Sequence, residues 1–154
     1  MFKTIVTALL VLAMTDAMAA AVEGFYRANG KDAAPVHARA LKGDAHMDKP
    51  TFKLVLSQKD ASKDARADFS AQMGDLGSAL VVTLARGDQG YEVIGAQFAH
   101  PDLKRSGASS AGLVEARDVV VSAGEIRGRI VSVADAMLFD EPMDIDLKFQ
   151  TKIP

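Results

Sequence analysis

The chain has no cysteine and no tryptophan, and only 6% of its residues are aromatic. Without a thiol there is no cysteine nucleophile, no thiolate metal centre and no disulfide framework. Charge of one sign is scarce too. Lysine and arginine number 18 against 20 aspartates and glutamates, a formal net charge of -2. A nucleic-acid binder shows a basic stripe interleaved with aromatics. No such stretch occurs here, so no nucleic-acid partner is expected. The one long apolar run, residues 4–14, falls well short of the about 20 residues a bilayer span needs. No membrane span is expected in the mature protein.

That apolar run has neighbours that give it a different meaning. Lys3 precedes it, the polar pair Thr15-Asp16 follows, and Ala17-Met18-Ala19 supplies a small-x-small triplet. This order is that of a secretory signal peptide over residues 1–19, cut between Ala19 and Ala20. An uncleaved anchor is the rival reading. Residues 20–154 then form the exported part, periplasmic or extracellular, of about 135 residues. That is the size of one domain and enough to bury a core without disulfides.

Hydrophobic periodicity in this part is mostly two. "VEGFYRA", "NGK" and "APVHARALKG" read as a hairpin, since Asn-Gly favours the positive-φ turn between twisted strands. "TFKLVLSQ" sets Phe52, Leu54 and Leu56 on one face and Lys53 and Ser57 on the other. "SALVVTLARGDQGYEVIGAQFA" is a second hairpin with "RGDQG" at its turn. A third turns at Ser122-Ala123-Gly124. In "MDIDLKFQTKI", Ile145, Leu147 and Phe149 alternate with Asp144, Asp146, Lys148 and Gln150. One segment follows a helical period instead: Ala65, Phe69, Met73 and Leu76. It predicts a short helix between Ser62 and Met73, with Ser62 as N-cap and Gly74 and Gly77 as stops. The expected fold is mostly β: an antiparallel β-sandwich or small barrel of about eight strands with one short helix.

Candidate sites are few. In "AHPDLKRSGASSAG" a nucleophile elbow would need glycine two residues before and two after its serine. Ser109 has Gly107 but Ala111, and Ser110 has Ala108 but Gly112. A serine hydrolase using Ser109 or Ser110 with His100 is therefore an alternative, and a Gly/Ser connection between strands is the favoured reading. The histidines are His37, His46 and His100. Imidazole is a common metal ligand, yet no two of them share HxH or HxxxH spacing. A metal-binding protein using all three is the other alternative, and no cofactor is expected. Asp144 and Asp146 share a strand face, where Arg127 and Arg129 are available as cross-strand partners. Sandwiches commonly bind with end loops on a rigid scaffold. If the loops 44–50 and 101–112 share one end, His46, Asp48, His100, Asp102, Lys104 and Arg105 form a rim for a protein or small ligand.

Several short pieces carry a resemblance: "GFYRANGK", "VHARALKG", "LGSALVVTL", "FAHPDL", "GEIRGRI" and the ending "DLKFQTKIP". In layout the chain resembles a group of exported bacterial β-rich domains of unknown function. The resemblance implies an autonomous periplasmic or secreted domain, and it brings no catalytic residue with it. The reading as a whole is an exported, non-enzymatic binding or accessory domain. A carrier of apolar ligands would instead need a barrel with an empty interior, where a binding module has a filled core.

Overall fold

The computed structural model describes residues 21–154. The signal peptide read at residues 1–19 lies outside them. The described chain forms two antiparallel sheets packed face to face, with no closed barrel.

In the first sheet, β1 (Ala21–Ala28) runs beside the short β2 (Lys31–Ala33) and the long C-terminal β11 (Glu141–Lys152). Next to β11 lie β9 (Glu125–Ser132) and the edge strand β8 (Val114–Ser122), and the two-residue β10 (Met137–Leu138) caps the start of β11. The second sheet has the order β3 (His37–Lys42), β4 (Thr51–Ser57), β5 (Ala79–Gly87), β6 (Gly90–Ala99), β7 (Ala108–Ser109). Among the described residues eleven strands thus stand where periodicity predicts about eight, the excess being pieces of two or three residues too short to show a period.

The Asn-Gly turn forms as expected, with Asn29 at φ 51°, but its hairpin is β1 with β2 alone. The chain leaves the first sheet at Ala34-Pro35-Val36, and β3 pairs with β4 in the second. Proline cannot donate to a ladder, so Pro35 is a natural place for that crossing.

Period-two burial holds the sheets together. Ile145, Leu147 and Phe149 of β11 are buried between them, against Leu54 and Leu56 of β4, Leu80 and Leu84 of β5, and Ile126 and Ile130 of β9. Each such side chain contributes about 1.5–3 kcal/mol on burial. The interior is filled by these side chains. Along β8 a bulge keeps the register: Asp118 and Val119 together oppose Gly128. Val114, Ala116, Val119 and Val121 therefore stay on the core side, and Asp118 joins Arg117 on the outside. Among the described residues no helix is long and apolar enough to cross a membrane.

The helix α1 (Ala67–Gln72) is shorter than the sequence predicts, and it buries a different face. Ser62 does not cap it. Its N–H goes to Asp60 Oδ1, and the Arg66 N–H to Asp64 Oδ1, so two aspartate turns precede the first helical residue. Ala67 and Ala71 are buried against Val55, Ala79, Val81 and Ala99 on the outer face of the second sheet. Phe69 is 45% exposed and Met73 62% exposed. The small alanines let the helix backbone lie close on the sheet, a fit that the larger side chains at the predicted positions would prevent.

Candidate functional site

The expected rim is divided between the two ends of the sandwich. His46, Met47, Asp48 and Lys49 form a tight turn between β3 and β4, with paired backbone hydrogen bonds between His46 and Lys49 and positive φ at Met47 and Asp48. This turn lies at the end where β5 passes to β6. His100 lies at the other end, beyond the row His37–Ser57–Ala79–Ala99. Three strand spacings separate His37 from that point, about 14 Å, and the length of β4 puts His46 about 20 Å away. Among the described residues no three His, Asp or Glu groups are placed to share a metal ion.

His100, Asp102, Lys104 and Arg105 do gather, and their contacts are internal. The His100 ring is fully buried and accepts the Asp102 N–H at Nδ1, 3.1 Å away. Its Nε2 has no partner among the described residues. Neither Ser109 nor Ser110 reaches the ring: Ser109 pairs with Gln97 on β6, and the Ser110 N–H goes to the Ala96 carbonyl. Asp102 Oδ1 lies 3.3 Å from Lys31 Nζ, and its carbonyl accepts from Asn29 Nδ2 at 2.8 Å. The buried Glu141 carboxylate accepts the Lys104 N–H at 3.1 Å and Asn29 Nδ2 at 2.9 Å. The Arg105 guanidinium lies over the Phe139 ring. This loop is a clamp that ties the second sheet to the turns of the first.

Two hollows lie on the outer faces of the sheets. The larger, about 470 Å³, is on the first sheet and is lined by Glu23, Asp118, Arg127, Arg129 and Lys148. Its charges are of both signs. Arg129 grips Asp146 through Nη2 at 2.6 Å and Nε at 3.2 Å, which raises the guanidinium pKa further. Asp144 takes Arg27 rather than Arg127. This is a solvated face of exposed charges, in which such pairs are worth little.

The second hollow, about 320 Å³, is built differently. Its floor comes from two cross-strand rows on the outer face of the second sheet: Lys53–Thr83–Gly95 and Val81–Gln97–Ser109. Gly95 contributes no side chain, so the floor opens there. The residue before it, Ile94, is the extra residue of a bulge in β6, and bulges recur beside binding sites. One wall is α1, through Asp68, Phe69 and Gln72. Lys53 Nζ meets Asp68 Oδ2 at 2.8 Å, which pins the helix to the sheet and holds that carboxyl below the usual aspartate range. The two charges satisfy each other. Thr83, Gln97, Gln72 and Ser109 are neutral, and none of their side chains has a hydrogen-bond partner among the described residues.

The signal for this groove was in "YEVIGAQF", where Gly95 and Gln97 occupy the face opposite the core residues Ala96 and Phe98. The wall residues were legible only as helix, with Phe69 assigned to the wrong side.

No protein-family model matches the chain, and no curated protein or solved structure gives a match to it. What the groove can hold follows from its own chemistry.

Proposed function

We propose that this protein is an exported, non-enzymatic binding domain and that the groove between α1 and strands β5–β7 is its ligand seat. The observation that carries the reading is the convergence on one hollow of four neutral polar side chains that have no hydrogen-bond partner among the described residues. Polar groups that face a concave surface without protein partners are donors and acceptors available to a ligand. Thr83, Gln97 and Ser109 stand on paired strands and Gln72 on the helix that Lys53–Asp68 ties to them, so their backbone positions are set before a ligand arrives. Export rests on the order of cationic, apolar and small residues in the first 19 positions.

Two measurements test the two halves of the reading. A fusion of residues 1–30 to alkaline phosphatase should be active outside the inner membrane; an inactive, cell-retained fusion would remove the export claim. Titration of the isotope-labelled protein with an extract of cell-envelope polymers, followed by NMR, should shift the side-chain amides of Gln97 and Gln72. An extract that leaves both amides unmoved would remove the groove as the seat.

A further inference from the structure

We infer that the ligand of this groove is a neutral saccharide, with the apolar face of one pyranose ring laid against Phe69. The inference rests on the groove being the binding seat and adds its chemical class.

The charges come first. Lys53 and Asp68 are the only ionised side chains among the groove residues, and they are spent on each other at 2.8 Å. Among the lining residues a carboxylate or phosphate finds no free cation, and the neighbouring Arg66 guanidinium is engaged over the Phe69 ring and by the Asp64 charge. An anion would find Arg127 and Lys148, without an ion-pair partner among the described residues, on the opposite sheet instead.

The remaining groups match a polyol. Gln72 and Gln97 each offer an N–H₂ donor and a carbonyl acceptor, and Thr83 and Ser109 each offer a hydroxyl that does both. A sugar hydroxyl also donates and accepts, so adjacent hydroxyls on one ring can be read by an amide in two directions. Phe69 supplies the apolar half. An aromatic face carries negative charge density, and sugar C–H groups are polarised positive by the oxygens beside them. Phe69 is 45% exposed, and the Arg66 guanidinium lies over one face of its ring, 4.3 Å from the centroid, so the sugar takes the other face.

Size and floor agree with this. A hollow of 320 Å³ stands at the small end of ligand pockets, room for about one or two sugar rings. At Gly95 a ring can lie directly on the strand, because no side chain covers the backbone there. An extended peptide binds by adding to a free strand edge. The floor strand β5 is instead paired on both sides, and at the groove β6 is covered by β7 through Gln97–Ser109 and Phe98–Ala108.

The test uses the labelled full chain and NMR. The neutral probes are maltotriose, cellotriose, xylotriose and triacetylchitotriose; the comparators are trigalacturonic acid and tri-alanine. At least one neutral probe should shift the Gln72 and Gln97 side-chain amides and the Gly95 backbone amide saturably. Phe69→Ala and Gln97→Ala should each weaken that binding at least tenfold with the melting temperature little changed. If no neutral probe acts, the envelope extract is treated with anhydrous trifluoromethanesulfonic acid, which cleaves glycosidic bonds and leaves peptide bonds intact. Loss of the extract's shifts after this treatment supports a saccharide; survival of the shifts overturns it and leaves the binding seat standing. Shifts from the uronic acid alone overturn the neutral class, and shifts from the peptide alone overturn the saccharide; both keep the seat. A groove untouched by every probe and by the extract overturns both.

Discussion

The rings of Tyr26 and His100 meet edge to face with centroids 5.0 Å apart, Tyr26 from β1 of the first sheet and His100 from the residue just after β6 of the second. Both are buried, and Tyr26 Oη and His100 Nε2 are the two buried side-chain polar atoms without a partner among the described residues. The pair is a packing contact that retains two unsatisfied polar ends. A buried, unpaired hydroxyl costs about 1–3 kcal/mol. Tyr26→Phe should therefore leave stability unchanged or raise it by about 1 kcal/mol, while Tyr26→Ala should cost about 3–5 kcal/mol. Urea denaturation of both variants checks this. A loss above about 1 kcal/mol in Tyr26→Phe would show that the hydroxyl has a bonding partner after all.

The same hydroxyl gives a pH dependence. Burial pushes the Tyr26 pKa far above the ordinary tyrosine value of 10.0. The unfolded chain therefore loses this proton first. Above pH 10 the folded state binds more protons than the unfolded one, so stability falls as pH rises; below pH 10 this contribution is constant. The slope from one such group approaches about 1.4 kcal/mol per pH unit. Tyr26→Phe should flatten the alkaline limb of a stability-versus-pH curve by that amount. Identical limbs in the two proteins would mean that Tyr26 ionises freely in the folded state.

Glu141 should be worth more than a surface carboxylate. It is 8% exposed and takes hydrogen bonds from Asn29 Nδ2 and the Lys104 N–H, joining three segments that are distant in sequence. Removing it strands both donors, and Glu141→Ala should cost about 2–3 kcal/mol. Hydrogen exchange should rise first in the segment after β6. A variant as stable as the parent, with exchange unchanged there, would deny the clamp its role.

The helix face offers a paired substitution. Ala71 is 1% exposed against the sheet, so Ala71→Leu should overpack the interface and cost about 1–3 kcal/mol. Met73, on the exposed side, should tolerate Ala within about 0.5 kcal/mol. Thermal melts of the two variants decide whether α1 sits on its alanine face. The opposite ranking would put Phe69 and Met73 inward.

Gly24 is the position in β1 least open to change. Its φ is +122°, and a Cβ there would fall 1.9 Å from the Asp146 carbonyl oxygen on β11. Both the backbone conformation and the space forbid a side chain, and backbone strain of this kind alone costs about 1–3 kcal/mol. Gly24→Ala should lower stability by at least that much and should open the β1–β11 ladder. Near-wild-type melting of that variant would contradict the strand pairing.

The amino-acid sequence by itself determined the alternation of β11, the three turn positions and the antiparallel β class, because side-chain period and turn chemistry are local. Asp146 finding Arg129 was legible for the same reason: a strand face fixes which residues can be neighbours. Tertiary structure alone decided that β3 belongs to the second sheet, since proline marks a break without saying where the chain goes next. It also decided that His46 and His100 stand at opposite ends, because loop composition carries no information about which end a loop occupies. The helix face turned on fit against the sheet. Hydrophobicity favoured Phe69 and Met73 as its buried side, and close approach to Val55 and Val81 selected Ala67 and Ala71. That inversion left Phe69 at the rim of the groove. The groove itself arises from cross-strand register, which sets Thr83 beside Gly95 and Gln97 beside Ser109. Those pairs are separated in sequence by a turn or a loop, and only the packed sheet brings them to one surface.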